Sequence, residues 1–167
     1  MDTYIKAETA ATTNIGIADE NRQKVAQLLE QLLADEQLLY IKTRNYHWNV
    51  VGMHFQALHD FFSDQYDKLE ERIDDIAERI RTLGFFSPGS MEAFQKLSRL
   101  KETDHLNGDA TAMLQHLLAD HEMIIQVLRH DLQATLEQYG DAGTSDFLTG
   151  LMEEHEKMAW MIRAHLG

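Results

Sequence analysis

Apolar residues along this chain recur at steps of three and four, and no stretch alternates with the period of a strand. From Val25 the stripe runs through Leu28, Leu29, Leu32, Leu33, Leu39 and Tyr40, the spacing of one buried face of an α-helix. With Asp19 placed to cap it, this helix is predicted over residues 20–49. A second stripe, Phe62, Tyr66, Leu69, Ile73, Ile76, Ile80 and Leu83, predicts a helix over 55–83 that stops at Gly84. Met113, Leu114, Leu117, Leu118, Ile124, Ile125, Leu128 and Leu132 predict a third helix over 109–138. After the turn Gly140-Asp141-Ala142-Gly143, a fourth over 144–165 buries Phe147, Leu148, Leu151, Met158, Met161 and Ile162.

The connections carry as much information as the helices. The turn between the first two is tight, at Val51-Gly52-Met53. The second and third are joined by a long segment, Phe85 to Gly108, which holds the only proline, Pro88, and room for a short helix at 91–100. Residues 1–19 show no periodicity and read as a flexible N-terminal arm, leaving 20–167 as one domain. An all-α four-helix bundle with one long crossover is the ferritin-like connectivity.

Composition narrows the function classes. A chain of 167 residues, 44% of them hydrophobic, is long enough for one well-buried core. No run approaches the roughly 18 apolar residues of a membrane span, and the first residues, MDTYIKAETAATTNIG, lack the basic and apolar regions of a secretory signal. Zero cysteines rule out disulfides and thiolate ligands. No membrane association and a cytoplasmic location are the expectations. A formal charge of −13, with no basic tail at either end, favours cations over nucleic acid as partners.

Four residues carry the candidate chemistry. His47 and His59 flank the turn between the first two helices, each on an apolar track, and an antiparallel hairpin brings them close. Asp74 and Glu78 sit four residues apart at the edge of the Ile73–Ile76–Ile80 stripe. Two imidazoles with two carboxylates suit Fe(II) and similar first-row ions, and zinc or manganese would accept the same donors. Packed histidines and a solvated charged face are the plain alternatives. Along one helix His59 and Asp74 are roughly 22 Å apart, whereas metal bonds are about 2 Å long. Either the pairs are unrelated or the site is built across a subunit interface. An intra-bundle di-iron centre would use paired Glu-x-x-His motifs, and the one match, Glu102 to His105, falls in the crossover.

The segments Tyr46-His47-Trp48-Asn49-Val50, Leu58-His59-Asp60, Asp74-x-x-Ala77-Glu78-Arg79 and Leu83-Gly84 resemble those of the Dps family of mini-ferritins, over essentially residues 20–166. The resemblance implies a homo-dodecamer enclosing a hollow cavity, with ferroxidase centres between two-fold-related subunits. His47 and His59 would come from one chain, Asp74 and Glu78 from its mate. It also implies that Trp48 lies beside the iron and intercepts radicals, that Asp60 and Asp64 nucleate ferric mineral on the inner wall, and that Asp141 and Asp146 line the entry pores. Asp141 is equally a turn residue, and Asp146 equally suits a helix N-terminus. Trp160 reads as core or interface.

Two positions depart from the family pattern. Ser63 stands where a carboxylate is usual four residues after the second histidine, so the second iron position is weaker, water-filled or served by another residue. Gly150 stands at a third pore position where relatives carry Asp. The remaining histidines, His54, His105, His116, His121, His130, His155 and His165, show no paired pattern.

The function implied is oxidation of Fe(II) to Fe(III) with hydrogen peroxide, or more slowly oxygen, and storage of the ferric product against oxidative damage. The alternatives are a DNA-binding or DNA-condensing shell with weak ferroxidase activity and a structural shell that has lost it.

Overall fold

The computed structural model describes residues 7–103 and 106–167. Among the described residues five helices follow one another: α1 Asp19–Asn49, α2 Phe55–Thr82, α3 Met91–Leu97, α4 Ala110–Glu137 and α5 Ala142–Leu166. All four long helices lie where the apolar periodicity puts them, and α3 occupies the long crossover. Among the described residues the sole β feature is an isolated antiparallel bridge between Thr9 and Phe85.

The chain makes two antiparallel hairpins, α1 with α2 and α4 with α5. Lys42 pairs with Asp120 and Tyr46 with His116, so α1 and α4 also run in opposite directions. Between them lies a core whose largest fully buried members are Tyr46, Phe62, Leu29, Leu32, Leu33, Leu39, Leu69, Ile76, Ile80, Leu83, Met113 and Leu117. Burial of side chains of this size stabilises by about 1.5–3 kcal/mol each before entropy is counted.

Polar groups set the ends and the crossover. Asp19 is the first residue of α1 rather than its cap; Ala18 holds the cap position, and the Asp19 carboxylate pairs with Arg22 at 2.7 Å. Asp109 caps α4 through the backbone N–H groups of Thr111 and Ala112. The crossover is tied down by Asp35, which is fully buried. Its carboxylate accepts from the Ser98 hydroxyl, the Arg99 and Leu100 backbone N–H groups and the Arg99 guanidinium. One acid on α1 therefore fixes the chain as it leaves α3.

The N-terminal arm, expected to be flexible, is anchored over part of its length. The backbone N–H groups of Ala10 and Phe86 donate to the carbonyls of Gly84 and Glu8, and Ala7 is buried in the core. Gly84 makes this possible with a φ of +93°, and a Cβ there would lie 2.3 Å from the Thr13 hydroxyl oxygen. No helix among the described residues is long and apolar enough to cross a membrane.

Candidate metal centre

His47 lies in the last turn of α1, and His59 in the second turn of α2. The α1–α2 turn is sharp enough to bring them together because Gly52 takes a φ of +116°, a conformation L side chains rarely adopt. The two half-buried rings stack with centroids 3.7 Å apart and planes 21° from parallel. Their polar contacts are reciprocal: His47 Nδ1 lies 2.7 Å from the His59 carbonyl, and His59 Nδ1 lies 2.9 Å from the His47 carbonyl. A carbonyl only accepts, so each Nδ1 carries the proton. In the neutral rings that leaves both Nε2 atoms as lone-pair donors, the arrangement that metal-binding histidines require.

Asp74 and Glu78 are exposed on α2. Because α2 is continuous from Phe55 to Thr82, His59 and Asp74 are held roughly 22 Å apart by helical rise. No single ion in one chain bridges them. Among the described residues, no three histidine or carboxylate side chains are grouped to hold one ion.

Two arginines of the same helix are committed to other partners. Arg72 pairs with Asp75 and Glu154, and Arg79 donates to Thr144 and pairs with Asp141. Among the described residues neither Asp74 nor Glu78 forms an ion pair. They continue a stripe of exposed carboxylates along α2, Asp60, Asp64, Asp67, Glu71, Asp74 and Glu78, at alternating steps of four and three. Asp67, Glu70, Glu71 and Asp74 also line an open concavity of about 800 Å³.

An apolar surface adjoins the histidines. Trp48 is 63% exposed, and Val51, Met53 and Phe55 are also exposed around the α1–α2 turn. A cluster of exposed aromatic and aliphatic side chains marks a surface suited to burial against a partner. Trp48 has the Arg44 guanidinium 5.1 Å from its ring centre.

Several sequence expectations change here. Asp141, expected to line a pore, is only 3% exposed. It caps α5 by accepting from the Thr144 backbone N–H and hydroxyl, and pairs with Arg79 at 3.2 Å. Its charge is spent inside the chain. Asp146 and Gly150 are exposed on α5. Trp160 is 61% exposed and so is no part of the chain's own core. Of the crossover's Glu-x-x-His match, Glu102 is exposed, while Asp104 and His105 lie outside the described residues.

Two of the histidines that show no paired pattern in the sequence form a network. His121 and His155 approach at 2.9 Å between their Nδ1 atoms, and His155 Nε2 lies 2.7 Å from Glu36 Oε1. All three side chains are essentially fully buried. Burial first, and the neighbouring His155 second, push the His121 pKa well below its usual value, so this ring is neutral. Each member sits on an apolar stripe: Glu36 between Leu32 and Tyr40, His121 between Leu117 and Ile125, His155 between Leu151 and Ala159. A polar residue in such a position was the available signal. The aromatic setting of His47 was missed too, although Tyr40, Arg44 and Trp48 recur at steps of four.

The family model for a ferritin-like domain matches residues 26–167. A low temperature-induced protein of a Nostoc species is 51% identical over 92% of this chain and 86% of its own length. DNA protection during starvation protein 2 of Bacillus anthracis is 33% identical over 86% of this chain and 97% of its own. Among solved structures, a Dps protein from Vibrio cholerae, described as a member of a broad superfamily of ferritin-like diiron-carboxylate proteins, matches with a TM-score of 0.86. That pair shares 35% identity over 94% of this chain and 98% of the other.

Proposed function

The chain belongs to the Dps family of ferritin-like proteins, and from that premise we propose that it is a mini-ferritin that oxidises Fe(II) at centres shared between two-fold-related subunits. The observation that carries this reading is the pair His47 and His59, locked into the Nδ1–H tautomer by each other's carbonyls with both Nε2 atoms free. The ligand set is completed by Asp74 and Glu78 of the two-fold mate. Support comes from the exposure of these acids, with no ion pair to them among the described residues, and from the exposed apolar surface around the turn. A two-fold interface is self-complementary, so each contact between histidine end and acid stripe occurs twice. Twelve such subunits closing a hollow shell is the proposed assembly.

Fe(II) is the substrate. A surface of formal charge −13 draws the cation in, and Asp146 is the pore carboxylate that remains available. Neutral imidazoles and carboxylates bind Fe(II) with donors of suitable hardness, hydrogen peroxide takes up the electrons, and oxygen serves more slowly. Trp48 stands next to His47 in sequence to intercept any radical that escapes. The ferric product is passed along the α2 carboxylates to Asp60 and Asp64, where mineral nucleates. Zinc or manganese would compete for the same donors.

The test is Fe(II) oxidation by peroxide in stopped flow, comparing wild type with His47→Ala/His59→Ala. Loss of fast oxidation in the variant supports the assignment; equal rates would sink it.

A further inference from the structure

His47 is flanked by a cluster of redox-capable aromatic side chains. The half-buried Tyr66 ring meets His47 edge-on, with centroids 5.3 Å apart and planes at 82°. Tyr40 meets Tyr66 in the same way at 6.1 Å. The Arg44 guanidinium sits among the three rings, 5.5 Å from Tyr40, 5.1 Å from Trp48 and 5.4 Å from Tyr66. Both phenol oxygens accept hydrogen bonds: Tyr66 from the Ser63 hydroxyl at 3.2 Å, Tyr40 from Arg44 at 2.8 Å.

The chemistry of peroxide makes this arrangement matter. Cleaving the O–O bond to two waters takes two electrons, and one Fe(II) supplies one. With no second donor, a hydroxyl radical is released. A second iron held in the same site would normally give the second electron. Here the position four residues after His59 is Ser63, which brings no carboxylate and whose hydroxyl is directed to Tyr66.

We propose that Tyr66 supplies the second electron, so that each site works with one Fe(II) at a time. The proposal rests on the ferroxidase reading above. In the step, one Fe(II) and the Tyr66 phenol each lose an electron to one hydrogen peroxide. The O–O bond breaks, and the phenolic proton and one proton from solvent complete two waters. Fe(III) and a neutral Tyr66 radical remain. A second Fe(II) then reduces the radical, and a solvent proton restores the phenol, giving two irons oxidised per peroxide over the full cycle. The Ser63 hydrogen bond stabilises the phenol oxygen as its proton leaves. Tyr40, packed edge-on behind Tyr66, offers a site to which the unpaired electron can spread.

Freeze-quench electron paramagnetic resonance tests this on the assembled protein, given one Fe(II) per subunit and equimolar hydrogen peroxide. Wild type should show a protein radical whose hyperfine pattern narrows when ring-deuterated tyrosine is incorporated. Tyr66→Phe, which keeps the ring and its packing, should lose that signal and release hydroxyl radical to a spin trap. An unchanged tyrosyl signal in Tyr66→Phe, or a signal removed by Trp48→Phe but not by Tyr66→Phe, overturns the proposal and leaves the ferroxidase reading intact. Wild type oxidising Fe(II) no faster than His47→Ala/His59→Ala overturns both.

Discussion

Replacing His155 by leucine should destabilise this protein far more than its loss of contacts suggests. Glu36 is fully buried, its Oε1 is held by His155 Nε2 at 2.7 Å, and its Oε2 has no hydrogen-bond partner among the described residues. His155→Leu removes the carboxylate's one partner and leaves His121 Nδ1 unpaired as well. Stripping one member from a buried hydrogen-bonded pair costs about 3–5 kcal/mol, because the polar group left behind stays desolvated. In a chain of this size that corresponds to a fall in Tm of roughly 6–20 °C. The triple change Glu36→Leu/His121→Phe/His155→Leu removes the whole network, and replacing buried polar groups by apolar ones of similar size is often nearly neutral. It should therefore regain most of the stability lost in the single variant. Thermal melts at pH 8 and one fixed protein concentration measure both, since assembly makes Tm concentration-dependent. A single variant within about 1 kcal/mol of wild type would refute the reasoning, because the expected penalty is several times that. So would a triple variant as unstable as the sum of its parts. The same melts carry a pH signature. His121 is held neutral in the folded state, whereas the unfolded chain takes up its proton near the ordinary value of about 6.5. The unfolded state therefore binds more protons below that pH, and wild-type stability falls as pH drops through it. The fall should be shallower in the triple variant.

Glu30 runs the opposite way: burial raises its pKa from 4.5 to about 7, so the folded state binds the extra proton and stability is lost as pH rises through that window. Glu30→Gln should match wild type near pH 4.5 and exceed it at pH 8 by about 1–2 kcal/mol, the full conversion being reduced by residual solvent contact; chemical denaturation at the two pH values checks this. Asp141→Ala removes a cap and a part-buried ion pair, and should cost about 1–3 kcal/mol in a melt. Asp146→Asn should instead leave Tm nearly unchanged and slow Fe(II) uptake at low salt more than at high salt. Equal salt-sensitive uptake defects in both variants, with no loss of stability in Asp141→Ala, would return Asp141 to the pore.

The helices were legible because each buries one face, and a period near 3.6 survives any partner that covers it. The separation of His59 from Asp74 was legible for a related reason: helical rise converts residue number into distance without knowledge of packing. What stayed hidden depended on pairing. Glu36, His121 and His155 come from three helices, and nothing in the chain states which stripe faces which. Residues 8–11 pair with 84–86 across more than seventy positions, so local patterning could not reveal that the arm is anchored there. Asp141 carried both readings in the sequence, turn residue and pore residue; its burial beside Arg79 shows the turn role within one chain. Tyr66 was read as one more member of an apolar stripe; its edge-on contact with His47 exists only once the hairpin closes.

The account's central claim is that each metal site takes its histidines from one chain and its carboxylates from another. His47→Ala/His59→Ala and Asp74→Ala/Glu78→Ala should each be inactive as pure assemblies. Dissociated, mixed in equal amounts and reassembled, half the two-fold pairs combine one chain of each kind, and half the sites in those pairs regain all four ligands. Peroxide-dependent Fe(II) oxidation should therefore return to about one quarter of wild type, as two-fold symmetry requires. A mixture as inactive as its parents would contradict the account, because the four residues would then build no shared site between chains.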